Sequence, residues 1–437
     1  MVDVTSDQTR TERLEWLARV YSEDGDAVRD EVADAMLVEH NPAFHVSNFA
    51  ATYRPLRKFL DQQGPVTFEV TAADHAEPDR TYASFSVDGT VIFEVIVRFE
   101  TNAPYRIMYW MSHPPLPAHI SIRPYTPSDA PGCVALEQAC PMEMLDGSQW
   151  TIDRGTYFDD YLSLMHAIDA AVAIDHAAND KVIGFFSCAL RPIRYQEKDT
   201  FCVYQHHYRV HPDYRAGSVS QALATFVDPR RTFAASAAQF PYSFVDPNNA
   251  HLQHMGLPEI ENVHITRLAL AAPETSMGPK PALLHDHDHI ATLINTAHQD
   301  RSLFIPFTAQ AVAERLARVA SYNPQCIFGD AEAFLGIWPV AELNVQDVDG
   351  VRTETRMHFV LDYGFTSIEA LARLVGDVLA SPIMEGATHL GFLCDQRAPE
   401  YPHLQTLATD EQTFAVHTLP FTQDAFAAVV YCDAIYC

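Results

Sequence analysis

Residues 201–226 read FCVYQHHYRVHPDYRAGSVSQALATF, and the way this stretch folds decides the class of the chain. Phe201, Val203, Tyr204, Tyr208 and Val210 alternate with polar neighbours in the manner of a strand. A Pro212-Asp213 turn and the loop Arg215-Ala216-Gly217-Ser218 follow, after which Val219, Leu223 and Phe226 recur at helical spacing. The order is strand, tight basic loop, helix. Such a loop aims backbone N–H groups and the positive end of a helix dipole at one point, which suits a phosphate or pyrophosphate. Gly217 lets the backbone approach closely, and Arg215 adds charge.

At these residues the sequence resembles the GNAT superfamily of N-acetyltransferases. The family's acetyl-CoA loop, R/Q-x-x-G-x-G/A after a strand ending in a V-x-P-x-x-R-like turn, is matched in shortened form by Val210, Pro212, Arg215 and Gly217. One glycine stands where the family has two, with Ser218 and Ser220 nearby to present their N–H groups. The resemblance implies an acetyl-CoA site formed by Val210, Arg215, Ala216, Gly217, Ser218, Val219 and Ser220.

The flanks extend it. Ile120 to Asp129 looks like the family's opening strand and helix cap, with Ser128 or Asp129 as the N-cap. Val172–Ile174 and Lys181–Ala189 read as a hairpin around Asn179-Asp180. Tyr242–Val245 reads as a strand, and Asp246 to Leu257 (DPNNAHLQHMGL) resembles the family's N-x-x-A…G-F segment, a helix beside the acetyl group and pantetheine, which adds Asn249 to the cofactor contacts. The implied fold is a GNAT-type mixed sheet flanked by helices.

At 437 residues and 48% hydrophobic, the chain has room for two to three packed domains. Residues 1–116 place helical patterns (Thr11–Ala18, Asp26–Leu37, Tyr53–Gln62) before four strand-like runs with a turn at Asp88-Gly89, an α+β layout that resembles the SnoaL-like cone fold. His113-Pro114-Pro115-Leu116-Pro117 reads as a linker, residues 118–272 as the GNAT domain, and Pro273–Pro281 as a second linker. Residues 282–437 then repeat the element order, which suggests a tandem, degenerate GNAT-like half ending in strands at Phe414–Leu419 and Ala427–Tyr431. Its loop after the strand, Asp362-Tyr363-Gly364, lacks the cofactor pattern, and Asp362 would oppose a phosphate, so this half is expected not to bind CoA.

The charge balance is 57 acidic against 29 basic residues, net −28, and only four of the basic ones are lysine. Such a surface repels nucleic acid and anionic membranes. Adaptation to brine and attraction of a cationic amine both account for it. No apolar run is long enough for a spanning helix and no signal-peptide core is visible, so a cytoplasmic protein is expected. The eight scattered cysteines lack C-x-x-C spacing and read as reduced, buried thiols.

Acetyl transfer needs a neutral amine, a partner for the tetrahedral oxyanion and a proton source for the thiolate. The resemblance assigns the oxyanion to a backbone N–H after the strand near Val210. The family's acid, a tyrosine, corresponds to Leu252 here, which leaves Tyr208 (or Tyr204), His251 and His254 as catalytic candidates. Glu137, Glu143, Asp146 and Asp159 fall in the segment that commonly contacts the acceptor, and each also reads as an ordinary surface carboxylate. His206 and His207 would be separated on opposite faces of a strand. His285 to His289 (HDHDH) precedes a helix, where Asp is a good N-cap, and no metal site is assigned. The expected activity is acyl transfer from acetyl-CoA, or a short acyl-CoA, to a small-molecule or peptide amine, with homo-oligomerisation left open; the alternative is an inert acyl-CoA-binding or scaffold protein.

Overall fold

The computed structural model describes residues 67–73, 80–99, 107–113, 116–215, 218–227, 241–249, 259–273, 278–418 and 424–433. They fall into two compact units, one reaching to Ser121 and including Arg215–Thr225, the other comprising Ile122–Tyr214 and Phe226–Cys437.

The first unit holds an antiparallel meander of β1 (Thr67–Ala73), β2 (Arg80–Val87), β3 (Thr90–Phe99) and β4 (Ile107–His113). Asp88 and Gly89 turn the central hairpin with φ of 50° and 76°, the two left-handed residues that a two-residue turn demands. The three helical patterns expected before Gln62 lie outside the described residues, and with them the cone resemblance.

A second sheet of thirteen strands organises the rest. Its elements in chain order begin with β5 (Ile120–Pro124), α1 (Ala130–Ala139), β6 (Met142–Glu143), β7 (Gln149–Asp153), α2 (Phe158–Leu164), β8 (Ala167–Asp175), β9 (Lys181–Tyr195) and β10 (Lys198–Val210). Helix α3 (Val219–Phe226), β11 (Pro241–Val245), β12 (Glu259–Ala271), α4 (His287–His298), α5 (Ala309–Leu316), β13 (Ile327–Gly329) and β14 (Ala333–Val348) follow. The described part closes with β15 (Val351–Phe365), α6 (Ile368–Leu379), β16 (His389–Asp395), α7 (Tyr401–Gln405) and β17 (Ala408–Thr418). The strand order is β5-β8-β9-β10-β11-β17-β12-β16-β15-β14-β7-β6, with β13 on β14. This is the large mixed sheet with flanking helices that the sequence led us to expect.

Two passages of chain trace the same path. An antiparallel pair, β9 with β10, is followed in the chain by a helix and by β11, which lies parallel to β10. In the same way β14 and β15 pair antiparallel, and after α6 the chain returns as β16, parallel to β15. The strands then interleave: β17 lies between β11 and β12, and β12 between β17 and β16. Residues 118–272 and 282–437 therefore supply one continuous sheet.

Local chemistry fixes the ends of these elements. The hairpin between β8 and β9 turns through left-handed Asn179 and Asp180, with the Asp175 carboxylate capping the short turn between. Asp286 caps α4 through the Asp288 and His289 N–H groups, so the HDHDH tract serves as a helix start. Two expectations need correction. Apolar residues at helical spacing run from Ala309 to Ala320 and predict a helix of that length, but α5 stops at Leu316, where Val319 and Tyr322 bridge across a turn. Ala427–Tyr431 forms no strand beyond a single bridge of Val430 to Ser302, since the Val430 N–H donates to the Asp395 carboxylate instead of a ladder.

Gly364 is required by close packing: a Cβ there would lie 2.5 Å from backbone atoms of Leu293 and Ile294 in α4. Gly364→Ala should cost about 1–3 kcal/mol in urea unfolding. Gly376→Ala in α6, where an added Cβ meets nothing within 4 Å, should instead stabilise by about 0.5–1 kcal/mol.

Candidate functional site

β10 and β11 run parallel but pair only at Val203–Pro241 and Tyr204–Tyr242. Beyond Tyr242, β11 stays on β17, while β10 stays on β9 as far as Val210. The two strands thus part toward their carboxyl ends. Crevices of this kind, outside the carboxyl ends of parallel strands, are where open α/β sheets bind ligands.

At the point of parting β10 carries a bulge. The register with β9 slips between His206 and Arg209, and His207 takes φ of 54°, a backbone that a non-glycine side chain adopts only under constraint. The bulge overturns the expectation that His206 and His207 face opposite ways. Their Nδ1 atoms are 2.5 Å apart and their rings 4.8 Å, so one Nδ1 carries the proton and the other accepts it. His206 stacks on Tyr204 with ring centroids 4.8 Å apart, and Ser187 Oγ lies 3.3 Å from its Nε2. His207 packs edge-on to Phe158, Tyr161 and Phe185, and its Nε2 lies 3.7 Å from Glu137 Oε1.

Glu137, on α1, is the centre of a buried charged group. Arg154 Nη1 donates to Glu137 Oε1, Arg154 Nε sits 3.4 Å from Glu342 Oε2 on β14, and the guanidinium lies over the Tyr161 ring. Burial raises the Glu137 carboxyl above the usual carboxylate range, against the attraction of Arg154. Burial also opposes the Arg154 charge, but Glu137 and Glu342 outweigh it and keep the guanidinium protonated. Burial, with Arg154 nearby, pushes His206 down to about 3 and His207 well below its usual value. Both imidazoles are therefore neutral, and only weakly basic, at physiological pH. Glu137 Oε2, Arg154 Nε and His207 Nε2 are sealed in without a hydrogen-bond partner, an arrangement uncommon in native interiors and concentrated here in one cluster.

The residues singled out from the sequence are placed as follows. Val210 ends β10, buried, its carbonyl accepting from Cys140 Sγ. The first N–H after it, that of His211, donates to Ile183 at 2.8 Å and is not available to an oxyanion. Tyr208 lies within the bulge, beside His207, and packs edge-on to Phe186 at 5.0 Å. Ser218 and Val219 are buried, and the Ser218 carbonyl accepts the first helical bond of α3, from Ala222; Ser220 is half-buried and Arg215 exposed. Arg215 and residues 218–220 belong to the first compact unit. Asn249 is buried and bridges to Met144. Ala216, Gly217, His251, Leu252 and His254 lie outside the described residues. Of the acceptor-side carboxylates, Glu143 and Asp146 are exposed, Asp159 accepts from Tyr125 at 3.0 Å, and only Glu137 joins the cluster. Sequence reading passed over Arg154, Glu342 and the histidine contact, because no local pattern announces a bulge or a pairing across distant strands. Among the described residues no group of His, Cys, Asp and Glu is arranged to hold a metal ion.

The neutral histidine pair has a measurable consequence. Unfolded histidine titrates near 6.5, so below that pH the unfolded chain takes up protons that the folded chain refuses, and stability falls toward about pH 3. Between pH 6.5 and 5, urea melts should show the wild type losing about 2 kcal/mol more per histidine than a His206→Asn, His207→Gln variant. Equal losses in both proteins would mean that the pair protonates without penalty.

No family model and no curated protein matches this sequence. Solved structures do match in fold. Saccharomyces cerevisiae N-myristoyltransferase with bound myristoyl-CoA superposes with a TM-score of 0.51 at 11% identity, covering 70% of this chain and 84% of that one. A second structure of the same enzyme with myristoyl-CoA gives 0.52 at 10% identity, covering 70% and 80%. A GCN5-related N-acetyltransferase from Kribbella flavida aligns over 68% of this chain and 70% of its own at 14% identity, with a TM-score of 0.37. At these identities the likeness to N-myristoyltransferase is one of fold.

Proposed function

We propose that this chain is an acyl-CoA-dependent N-acyltransferase working at the crevice where β10 and β11 part. The observation that carries the reading is the parallel pair opening at a bulge, in a fold shared with an enzyme solved with myristoyl-CoA. Residues 201–226 supply the second support: a strand, a basic loop and a helix in the order the GNAT resemblance expects, with Val210, Arg215, Ala216, Gly217, Ser218, Val219, Ser220 and Asn249 as the CoA contacts.

In this reading the amine nitrogen attacks the thioester carbonyl carbon directly. The C–S bond breaks, the nitrogen loses one proton, and the departing thiolate gains one. The first proton passes to solvent, because burial leaves His206 and His207 too weakly basic to hold it, and Tyr208, His251 or His254 is read as supplying the second. The group moved is acetyl or a short acyl chain. The second passage of antiparallel pair, helix and parallel strand is read as a degenerate GNAT-like half that binds no CoA. There the positions past the parting of β15 and β16 are taken by Asp362, which accepts from Arg315, and by Tyr363, which donates to Glu400.

An inert acyl-CoA-binding or scaffold protein is the rival, favoured by Leu252 at the family's acid position and by the single glycine of the loop. Calorimetric titration with acetyl-CoA, beside a Gly217→Glu variant that puts bulk and negative charge into the loop, separates the readings. Transfer predicts micromolar binding that the variant loses by at least about 100-fold (roughly 2.7 kcal/mol). It also predicts CoA release with an amine at a rate that rises as the amine deprotonates, and faster with acetyl-CoA than with myristoyl-CoA. Tight binding without CoA release would favour the inert protein, and no binding would sink both.

A further inference from the structure

Arg267 lies in the middle of β12, opposite Gln412 of β17 and Leu393 of β16. It is only 9% exposed, yet among the described residues no carboxylate comes within ion-pair reach of it. Its Nη2 donates to two neutral amides, Gln412 Oε1 at 2.6 Å and, at the limit of a hydrogen bond, Asn344 Oδ1 at 3.5 Å. Two arginines buried to a comparable degree in the same unit hold acids directly: Arg301 grips Glu400, and Arg315 bridges Asp362 and Asp433. A buried charge without a counter-ion is costly, and proteins rarely keep one without use.

Acids are near, but each is held one side chain away. Gln412 Nε2 donates to Asp246 Oδ2 at 2.8 Å, and Asn344 Nδ2 donates to Glu342 Oε1 at 3.2 Å. The two amides thus turn their N–H groups to the acids and their oxygens to Arg267. They fix the guanidinium without neutralising it. Among the described residues the Nε and Nη1 donors of Arg267 make no hydrogen bond, which leaves them unused by the fold. A planar guanidinium with unused donors and no counter-ion is built for a carboxylate, which it meets in a two-pronged hydrogen bond.

The position ties this arrangement to the crevice. Asp246 directly follows β11, whose carboxyl end forms one wall of the parting, and Gln412 links Asp246 to Arg267. We infer that Arg267 binds the carboxylate of the amine acceptor, so that the acceptor is an amino acid or a similarly small amine bearing a carboxylate. The inference rests on the acyl-transfer reading for the amine end of the ligand. The surrounding charges are compatible with a zwitterion: Asp246 and Glu342 flank the path of the ammonium, while Arg154 and Arg267 supply the positive side. Burial already works against the Arg267 charge, and an arriving carboxylate would relieve that penalty.

The test uses the full chain, with Arg267→Gln and Arg267→Lys. Amino acids, their primary amides and the corresponding decarboxylated amines are offered as acceptors with acetyl-CoA, while thermal melts are run in sodium acetate, sodium phosphate and sodium chloride at equal ionic strength. The wild type should prefer amino acids over their amides, Arg267→Gln should shrink that preference by about 100-fold, and Arg267→Lys, which keeps the charge but loses the fork, by less. Acetate should raise the wild-type melting temperature more than chloride does, and Arg267→Gln should abolish the difference. Transfer to amines without preference for the carboxylate overturns the inference and leaves the transferase intact. A fall in acetyl-CoA affinity instead of acceptor preference, or protection by phosphate and not acetate, means the anion is a CoA phosphate, and the carboxylate assignment is wrong. If no amine is acylated, the transfer reading falls; acetate protection that depends on Arg267 would still uphold a carboxylate site, and its absence would remove that too. Should Arg267→Gln not fold, Arg267→Lys reads the same ratio.

Discussion

The backbone ladder β11-β17-β12-β16 is the constraint on which the larger unit depends. Residues 118–272 give up β12 to pair with β16, and residues 282–437 give up β17 to fill the gap between β11 and β12. Neither segment can satisfy its own strand edges alone, and unpaired edges in a sheet interior are expensive. The pairings link positions far apart in sequence, such as Ile265 with Phe414, so forming them costs loop-closure entropy that local pairings do not. Its reward is positional. β11 is anchored on β17, which frees it from β10 past Tyr204 and holds the crevice open from one side.

The other side is held by the bulge. A regular strand would send His206 and His207 to opposite faces; the inserted residue turns both onto one face, against Tyr161 and toward Glu137. Strain of this kind persists only where the surroundings enforce it. Here the enforcing partners are aromatic rings on α2 and β9 and the Arg154–Glu137 pair. The bulge thus converts a run of two adjacent histidines into a buried, contacting pair of neutral imidazoles.

Much of the fold was legible in the residues. The strand over 201–210, the hairpin turning at Asn179-Asp180 and the strand at Tyr242–Val245 lie where periodicity and turn residues put them. Local signals encode local structure, and those elements depend on little else. The interleaving of β12 and β17 was not legible, because nothing in a strand's own sequence names its neighbour. The site divided the same way. Glu137 was visible as one acid among several, but its burial and its pairing with Arg154 arise from packing between α1 and the end of β7. Arg267 sits in an apolar strand pattern, and its lack of a counter-ion becomes visible only when Gln412 and Asn344 are seen to stand between it and the acids.

The two partings of parallel strands make a physical comparison within one molecule. Past the parting of β15 and β16, the interior is neutralised by the chain itself: Arg301 donates both to Glu400 and to Tyr363, whose hydroxyl also reaches Glu400, while Arg315 is shared by Asp362 and Asp433. Of the polar atoms in that group, only Asp362 Oδ1 lacks a partner. Past the parting of β10 and β11, three orphaned atoms adjoin one another, and farther along the same sheet an arginine stands without an acid. Folding alone selects the first arrangement, since a satisfied interior is the more stable one. Among the described residues, the second arrangement leaves those groups without partners. The difference between the two partings lies in the packing of side chains and is independent of the loop sequence at residues 215–218.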